Sequence, residues 1–329
     1  MKLSLKKIVA PPLPLTILIL SVAYLLWILL YFSGVSFSAD RSGSSLPAFA
    51  GNLFPEKSLW PYLISFLLTG VNSILILLLN NRYNIIRTRT LMPVFIFNFL
   101  MGVWFQTHMF VKAHMALTLI LASFYLFFGM YRNPNASSEA FTGSFLIGLS
   151  CFLIKPLVVL LPVFWIGFMM FQSFSLRTWL ASLFGFLNPL IFYFAASFYL
   201  NPEALTVENL LSGLIPSFVI AQLSIYEIIY LLSMIVVILI SAGGLFPNLR
   251  NDSIQTRSRL SFLSFFSVCM FLVSIFSAAD YKAIMPIVAF GYSLIFSHPL
   301  SLRHGNFFSI LLLVFLLLNV AYIVSSLIF

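Results

Sequence analysis

Residues 143–165, GSFLIGLSCFLIKPLVVLLPVFW, contain two apolar runs that are separated only by Lys155-Pro156. Proline removes a backbone donor from a helix and disfavours helical geometry at the residue before it. The stretch therefore predicts either a tight hairpin between two short helices or one kinked helix that covers 142–172. The choice matters because it sets the direction of every later segment relative to the membrane.

The whole chain has the same apolar character. Hydrophobic residues make up 61% of its 329 residues, charged residues only 8%, and 38 residues are phenylalanine. Ordinary globular domains contain roughly 25% charged residues. The chain thus has too few polar side chains to cover a water-facing surface, and its composition excludes a soluble catalytic domain.

Apolar runs long enough to cross a bilayer recur along the sequence. We expect an all-α polytopic membrane protein with eleven transmembrane helices, the first of them an uncleaved span rather than a signal peptide. The predicted spans cover 15–32, 60–80, 91–110, 115–131, 142–154, 156–172, 179–200, 217–244, 260–278, 283–297 and 307–328. A single membrane domain results, with a core module at 1–200 and further helices at 201–329.

The distribution of basic residues favours the hairpin. Cytoplasmic loops are enriched in lysine and arginine, and the hairpin puts 12 of the 17 basic residues on the side of the N-terminus and 5 on the opposite side. The five are Arg41, Lys57, Lys112, Lys155 and Lys282. A single kinked helix would give 8 on each side and leave Lys155 inside the membrane. The bias predicts a cytoplasmic N-terminus, and it explains the net charge of +9 without nucleic acid as a partner.

Cysteine and histidine spacing indicates neither a disulfide framework nor a metal site. Cys151 and Cys269 lie in apolar runs and are expected to be small core residues. His108 and His114 are six residues apart, as are His298 and His304, which does not match the i, i+4 spacing of a helical metal pair. We expect polar residues at the membrane interface, those of the second pair in an inner loop. No cofactor is predicted, and a divalent metal is left open.

The predicted outer face collects the residues with potential chemistry. Asp40 and Arg41 follow the first span, Lys112 and His114 lie between the third and fourth spans, and Lys155 lies on the hairpin. Glu227 lies about ten residues into the predicted eighth span, and an ionisable residue at that depth is a functional candidate. Cations can neutralise a lipid phosphate and a carboxylate can accept a proton. The competing interpretation is that these are ordinary loop charges and snorkelling side chains.

Three stretches together resemble the core module of the GT-C superfamily of membrane glycosyltransferases. They are RYNIIRTRTLMP at 82–93, FQTHMFVKAHMALTLILASFYLFF at 105–128, and the stretch at 143–165. The resemblance covers about residues 1–200, and the pattern is also similar to uncharacterised polytopic families of Bacteroidota. It implies a bacterial inner-membrane protein of the cell envelope that uses a polyprenyl-phosphate-linked sugar at the extracytoplasmic face. It also implies that Asp40 is the catalytic residue, with Arg41, Lys112, His114, Lys155 and Glu227 as substrate-binding candidates.

Two departures from the family pattern keep other functions open. The first outer loop is short, and Lys112 and His114 stand where many members keep a second acidic residue. A non-catalytic subunit or scaffold of a cell-envelope complex is therefore the main alternative to an enzyme. A lipid or glycan transporter is the third hypothesis, which the low glycine content and the lack of an inverted repeat disfavour.

Overall fold

The computed structural model describes a bundle of α-helices. It describes residues 24–25, 27–28, 59–88, 90–200, 223–249, 252–277, 280–302 and 306–328. The helices in these ranges are α1 (Leu59–Tyr83), α2 (Met92–Val103), α3 (Val111–Gly129), α4 (Ser137–Leu153), α5 (Leu160–Met170), α6 (Leu176–Leu200), α7 (Ile225–Leu249), α8 (Ile254–Phe276), α9 (Tyr281–Leu302) and α10 (Asn306–Ile328). Short 3₁₀ helices at Phe105–Thr107 and Lys155–Val159 precede α3 and α5.

Seven helices in the described part are long and apolar enough to cross a membrane, namely α1, α3 and α6 to α10. Three shorter apolar segments, Met92–Val103, Ser137–Leu153 and Lys155–Met170, coincide with predicted spans. The protein is therefore a multi-pass, all-helical membrane protein. The predicted first span lies mostly outside the described residues, and the eighth begins later than expected, because α7 starts at Ile225.

The chain reverses direction at Lys155-Pro156, as the hairpin alternative predicts. Helix α4 ends where Ile154 adopts an extended conformation, with φ −143° and ψ 102°. After α5, the Phe171 carbonyl accepts a hydrogen bond from the Arg132 amide over 2.9 Å. The residues before α4 and after α5 therefore lie side by side, which excludes a single kinked helix.

Helix α9 is the central helix, since 89% of its apolar window is buried, the highest share among the candidate spans. Phenylalanine rings from four helices pack around it. Phe124 of α3 lies 4.8 Å from Phe266 and 5.3 Å from Phe290, measured between ring centroids. Phe127 lies 4.7 Å from Phe164. Edge-to-face aromatic packing of this kind contributes beyond the buried area alone.

Helices α4 and α6 approach closely because glycines face the contact. A Cβ atom at Gly185 would lie only 2.2 Å from the Phe141 carbonyl oxygen. A Cβ atom at Gly148 would lie 2.7 Å from the Phe186 carbonyl oxygen. Small residues allow such backbone contact between membrane helices.

The antiparallel helices give the bundle two polar ends. We name the end that carries Lys112 and Asp280 the Asp280 end. The opposite end, with Arg87 and Asp252, is the Arg87 end. Each end contains one of the bundle's ion-pair groups.

Candidate functional site

One of the predicted substrate-binding cations pairs with a carboxylate, and the charge of a second one acts on the same group. The Lys112 ammonium lies 3.7 Å from the nearer Asp280 carboxylate oxygen, and the charge of Lys155 also acts on Asp280. Burial raises the pKa of the Asp280 carboxyl, and the two lysine charges oppose that shift. Lys112 and Lys155 are candidates from the sequence, whereas no local signal identifies Asp280 as the partner of Lys112.

The start of α9 explains the position of Asp280. Its carbonyl accepts hydrogen bonds from the Ala283 and Ile284 amides, so it is the residue at which the helix begins. A carboxylate is favoured at a helix N-terminus. Lys112, in the first turn of α3, is at a helix end that disfavours cations, and the Asp280 charge compensates for this.

An open cavity lies beside this cluster at the Asp280 end, with about 410 Å³ of empty space that includes volume open to solvent. Three side chains that bear on its chemistry are Glu227, Lys282 and Gln106. Half of the eight remaining lining residues are aromatic: Trp104, Tyr230, Tyr281 and Tyr322.

Hydrogen bonds fix the cavity wall. The Trp104 indole N–H donates to the Tyr230 hydroxyl over 2.8 Å, and that hydroxyl donates to Asn319 Oδ1 over 2.8 Å. The Tyr230 and Tyr322 rings stack with centroids 4.1 Å apart. These contacts link α2, α7 and α10 and hold the aromatic faces in place.

Glu227 lies in the first turn of α7 and not deep in a span, which corrects the expectation of about ten residues of depth. Its Oε2 accepts the Ser224 amide and hydroxyl over 3.0 and 2.9 Å. Its Oε1 accepts a hydrogen bond from Gln106 Nε2 over 3.2 Å. Ser224 and Glu227 have the spacing of a capping box, a signal in the sequence that the analysis above missed.

His114 lies in the first turn of α3 and is fully buried within the protein. Its Nδ1 lies 3.3 Å from Thr69 Oγ1, and its Nε2 lies 3.2 Å from the Thr107 carbonyl oxygen. Both ring nitrogens are therefore engaged by the protein. A role in binding substrate stays a prediction for this residue, as for Lys112, Lys155 and Glu227.

His108 lies in the short connection before α3 and is also buried within the protein. Its ring stacks on Trp27 with centroids 3.6 Å apart, and Nε2 lies 2.7 Å from the Met101 carbonyl oxygen. Burial lowers the pKa of His108 to about 3. The imidazole is thus neutral, and Nε2 is the nitrogen that donates to the carbonyl.

The proposed catalytic residue Asp40 and its neighbour Arg41 lie outside the described residues. Their relation to Lys112 and Lys155 therefore stays a prediction. Among the described residues, no three histidine, cysteine or acidic side chains are grouped in a way that could hold a metal ion.

At the Arg87 end, the inner-loop position expected for His298 is wrong. His298 lies within α9 and not in a loop, and its Nε2 is 3.2 Å from Asp252 Oδ2.

Arg259, at the same end of the bundle, is only 7% exposed. Its two terminal nitrogens donate to the carbonyls of Tyr83 and Phe128 over 3.0 and 3.1 Å. It caps the last turns of α1 and α3, where carbonyls lack helical partners.

No protein-family model and no curated protein matches this sequence. The resemblance of residues 1–200 to membrane glycosyltransferases accordingly stays a prediction. Any functional conclusion depends on the arrangement of charges and aromatic residues at the Asp280 end.

Proposed function

We propose that the protein acts on a polyprenyl-phosphate-linked sugar at the Asp280 end, as a membrane glycosyltransferase with a GT-C-like helical arrangement. An acceptor hydroxyl attacks the anomeric carbon of the sugar, and the bond from that carbon to the phosphate oxygen breaks. Asp40 takes the hydroxyl proton as general base. Polyprenyl phosphate leaves, and Lys112 and Lys155 neutralise its charge, with Arg41 as a further cation. The reaction requires no organic cofactor.

The observation that supports this proposal most directly is the ion pair between Lys112 and Asp280, a carboxylate on which the charge of Lys155 also acts. Two cations at one bundle end suit a phosphate group at the membrane surface, where desolvation strengthens charge–charge contacts. When a phosphate approaches, it competes with the Asp280 carboxylate for Lys112. Asp280 keeps the ammonium in position until that exchange.

The proposed topology has eleven spans, a cytoplasmic N-terminus and an extracytoplasmic Asp280 end. The protein would then reside in a bacterial inner membrane and serve the cell envelope. The 12 to 5 distribution of basic residues supports this orientation. The lipid-linked donor is a membrane component, and a membrane complex supplying the acceptor is a natural partner.

The decisive experiment combines binding and turnover in nanodiscs. Polyprenyl phosphate is titrated against the wild type, Lys112→Met, Lys155→Met and Arg132→Met, the last a control at the opposite end. We expect both Asp280-end variants to bind about tenfold more weakly and Arg132→Met to be unchanged. Asp40→Asn should bind normally and lose about 10²–10⁴-fold in transfer rate.

Three outcomes contradict the proposal. Equal binding of polyprenyl phosphate by all variants would show that Lys112 and Lys155 do not bind its phosphate. Full transfer activity in Asp40→Asn removes the assigned base. Binding with no turnover, together with a stable protein complex recovered in mild detergent, would instead indicate the non-catalytic subunit.

A further inference from the structure

An apolar groove continues from the cavity described above. Helices α7 and α8 each pack on α9, and an open groove runs between them, with about 540 Å³ of empty space that includes volume open to solvent. Its wall includes Leu232 and Ile235 of α7 and Phe271 and Ile275 of α8. Leu231, Tyr281 and Met285, together with Leu223, line both spaces, so the groove and the cavity adjoin. A single molecule with a polar head and a hydrocarbon chain would match the cavity and the apolar groove that adjoins it.

The hydrogen-bond donors of the cavity wall are directed into the protein. The Tyr281 hydroxyl donates to Gln106 Oε1 over 3.4 Å, and Gln106 donates in turn to Glu227. The indole of Trp104 and the hydroxyl of Tyr230 are used in the chain that ends at Asn319. The cavity wall thus combines aromatic rings with the Glu227 carboxylate, and both attract a cation.

Glu227 carries a negative charge into this aromatic surrounding. The hydrogen bonds described for its carboxylate come from neutral donors, Ser224 and Gln106. Within the described ranges, the lysine and arginine ion pairs involve Asp252 and Asp280 but not Glu227. A carboxylate beside aromatic rings is the arrangement that binds substituted ammonium groups.

Lys282 lines the same cavity and gives it a second charge of opposite sign. Its Nζ lies 5.8 Å from the centroid of the Tyr281 ring. A headgroup with an amine and a phosphate would therefore meet a carboxylate and an ammonium in one cavity. The hydrocarbon chain of the same molecule would extend into the α7–α8 groove.

We propose that this cavity and groove form a binding site for a zwitterionic phospholipid with an amine headgroup. The ammonium contacts Glu227 and the rings of Tyr230, Tyr281 and Tyr322, the phosphate contacts Lys282, and one acyl chain lies between α7 and α8. The site is separate from the proposed phosphate site at Lys112 and Lys155. It does not depend on glycosyl transfer or on Asp40.

The test titrates phosphatidylethanolamine and phosphatidylglycerol with identical acyl chains against the detergent-purified protein and measures bound lipid by native mass spectrometry. We expect phosphatidylethanolamine to bind about tenfold more tightly. Glu227→Gln should lose that preference, and Glu227→Asp, which keeps the charge, should retain most of it. Glu139→Gln is the control, because it removes a first-turn carboxylate at the Arg87 end.

A second pair of variants tests whether the acyl chain of the lipid lies in the α7–α8 groove. Leu232→Trp fills the groove and should weaken binding of both lipids about tenfold. Ile229→Trp adds the same ring on the exposed surface of α7, outside the groove, and should have no effect. Melting temperatures near that of the wild type show that each variant is folded.

Two results would overturn the proposal. One is an unchanged preference in folded Glu227→Gln, which removes the ammonium contact. The other is displacement of phosphatidylethanolamine by free ethanolamine at equal concentration, which would make this a small-amine pocket without a lipid chain. Should Glu227→Gln fail to fold, the wild type still tests the ammonium contact, because equal affinity for the two lipids would contradict it. Unchanged lipid binding by folded Leu232→Trp would contradict the position of the acyl chain.

Discussion

The Lys112 ammonium lies 3.7 Å from the Asp280 carboxylate, and the Asp280 side chain is only 4% exposed. The two residues come from α3 and from the start of α9. The pair therefore joins the tight turn after α2 to the central helix of the bundle. An ion pair of this burial costs free energy when one partner is removed, because the remaining charge is left desolvated.

Lys112→Met should lower the free energy of unfolding by about 1–3 kcal/mol, since Asp280 loses its closest cation. Asp280→Asn in the same chain should restore much of that loss. Thermal unfolding of both single variants and the double variant in one detergent measures the coupling. Strictly additive effects would show that the two side chains do not interact in the folded protein.

Arg259→Met should destabilise the protein by about 1.5–3 kcal/mol, because the carbonyls of Tyr83 and Phe128 lose a charged donor. Arg259→Lys should lie between wild type and Arg259→Met, since a single ammonium does not reproduce the planar fork of two terminal nitrogens. Arg257→Met is the matched control on the exposed side of the same helix turn. Equal losses for Arg257→Met and Arg259→Met would argue against the capping role.

Stability should fall as the pH drops below 6.5, and His108 should account for part of the loss. Burial lowers the pKa of His108 from 6.5 to about 3 in the folded protein. Between these values the unfolded chain binds a proton that the folded chain does not, so the contribution of His108 is present above pH 6.5 and lost as the pH falls. The slope approaches about 1.4 kcal/mol per pH unit.

His108→Gln should flatten this dependence by that amount. The measurement is the free energy of unfolding at intervals from pH 7.5 to pH 5 for wild type and variant. His114 is present in both proteins, so the difference between the curves isolates His108. Parallel curves would mean that His108 is not neutral and buried as the structure has it.

Gly185→Ala should destabilise the α4–α6 contact by about 1–3 kcal/mol, because the added methyl group meets the Phe141 carbonyl and forces the helices apart. Gly243→Ala provides the comparison, since no atom lies within 4 Å of a Cβ placed there. Its effect should be neutral or stabilising by at most about 1 kcal/mol. A neutral Gly185→Ala would mean that the two helices are not in backbone contact.

The sequence alone was enough to predict the membrane class and the reversal at Lys155-Pro156. The membrane class follows from the apolar composition. The reversal follows from the distribution of basic residues along the chain, since Lys155-Pro156 alone also fits one kinked helix. The contact between Lys112 and Asp280 was not predictable, because it joins residues far apart in the chain. The neighbouring residues of a charged loop residue are the same whether its side chain forms an ion pair or is solvated by water.

The aromatic wall of the cavity could not be predicted from the sequence for a related reason. In a membrane protein both the core and the lipid face are apolar, so hydrophobic periodicity does not separate inward from outward residues. Trp104, Tyr230 and Asn319 come from three helices, and nothing in their neighbours distinguishes them from lipid-facing positions. Glu227 was misplaced in depth because an apolar run continues ahead of α7, whereas Ser224 begins the helix.

Cysteine labelling tests the proposed orientation, in a background without Cys151 and Cys269. Ser253→Cys reports on the Arg87 end and Val158→Cys on the Asp280 end, and both positions are exposed. The distribution of basic residues predicts that a membrane-impermeant maleimide added to intact cells labels only Val158→Cys, and that Ser253→Cys reacts only after the membrane is opened. If the two positions reacted in the reverse order, the Asp280 end would face the cytoplasm, and an extracytoplasmic lipid-linked donor could no longer reach Lys112 and Lys155. If both reacted in intact cells, the two ends would not lie on opposite sides of the membrane, and the eleven-span topology would be wrong.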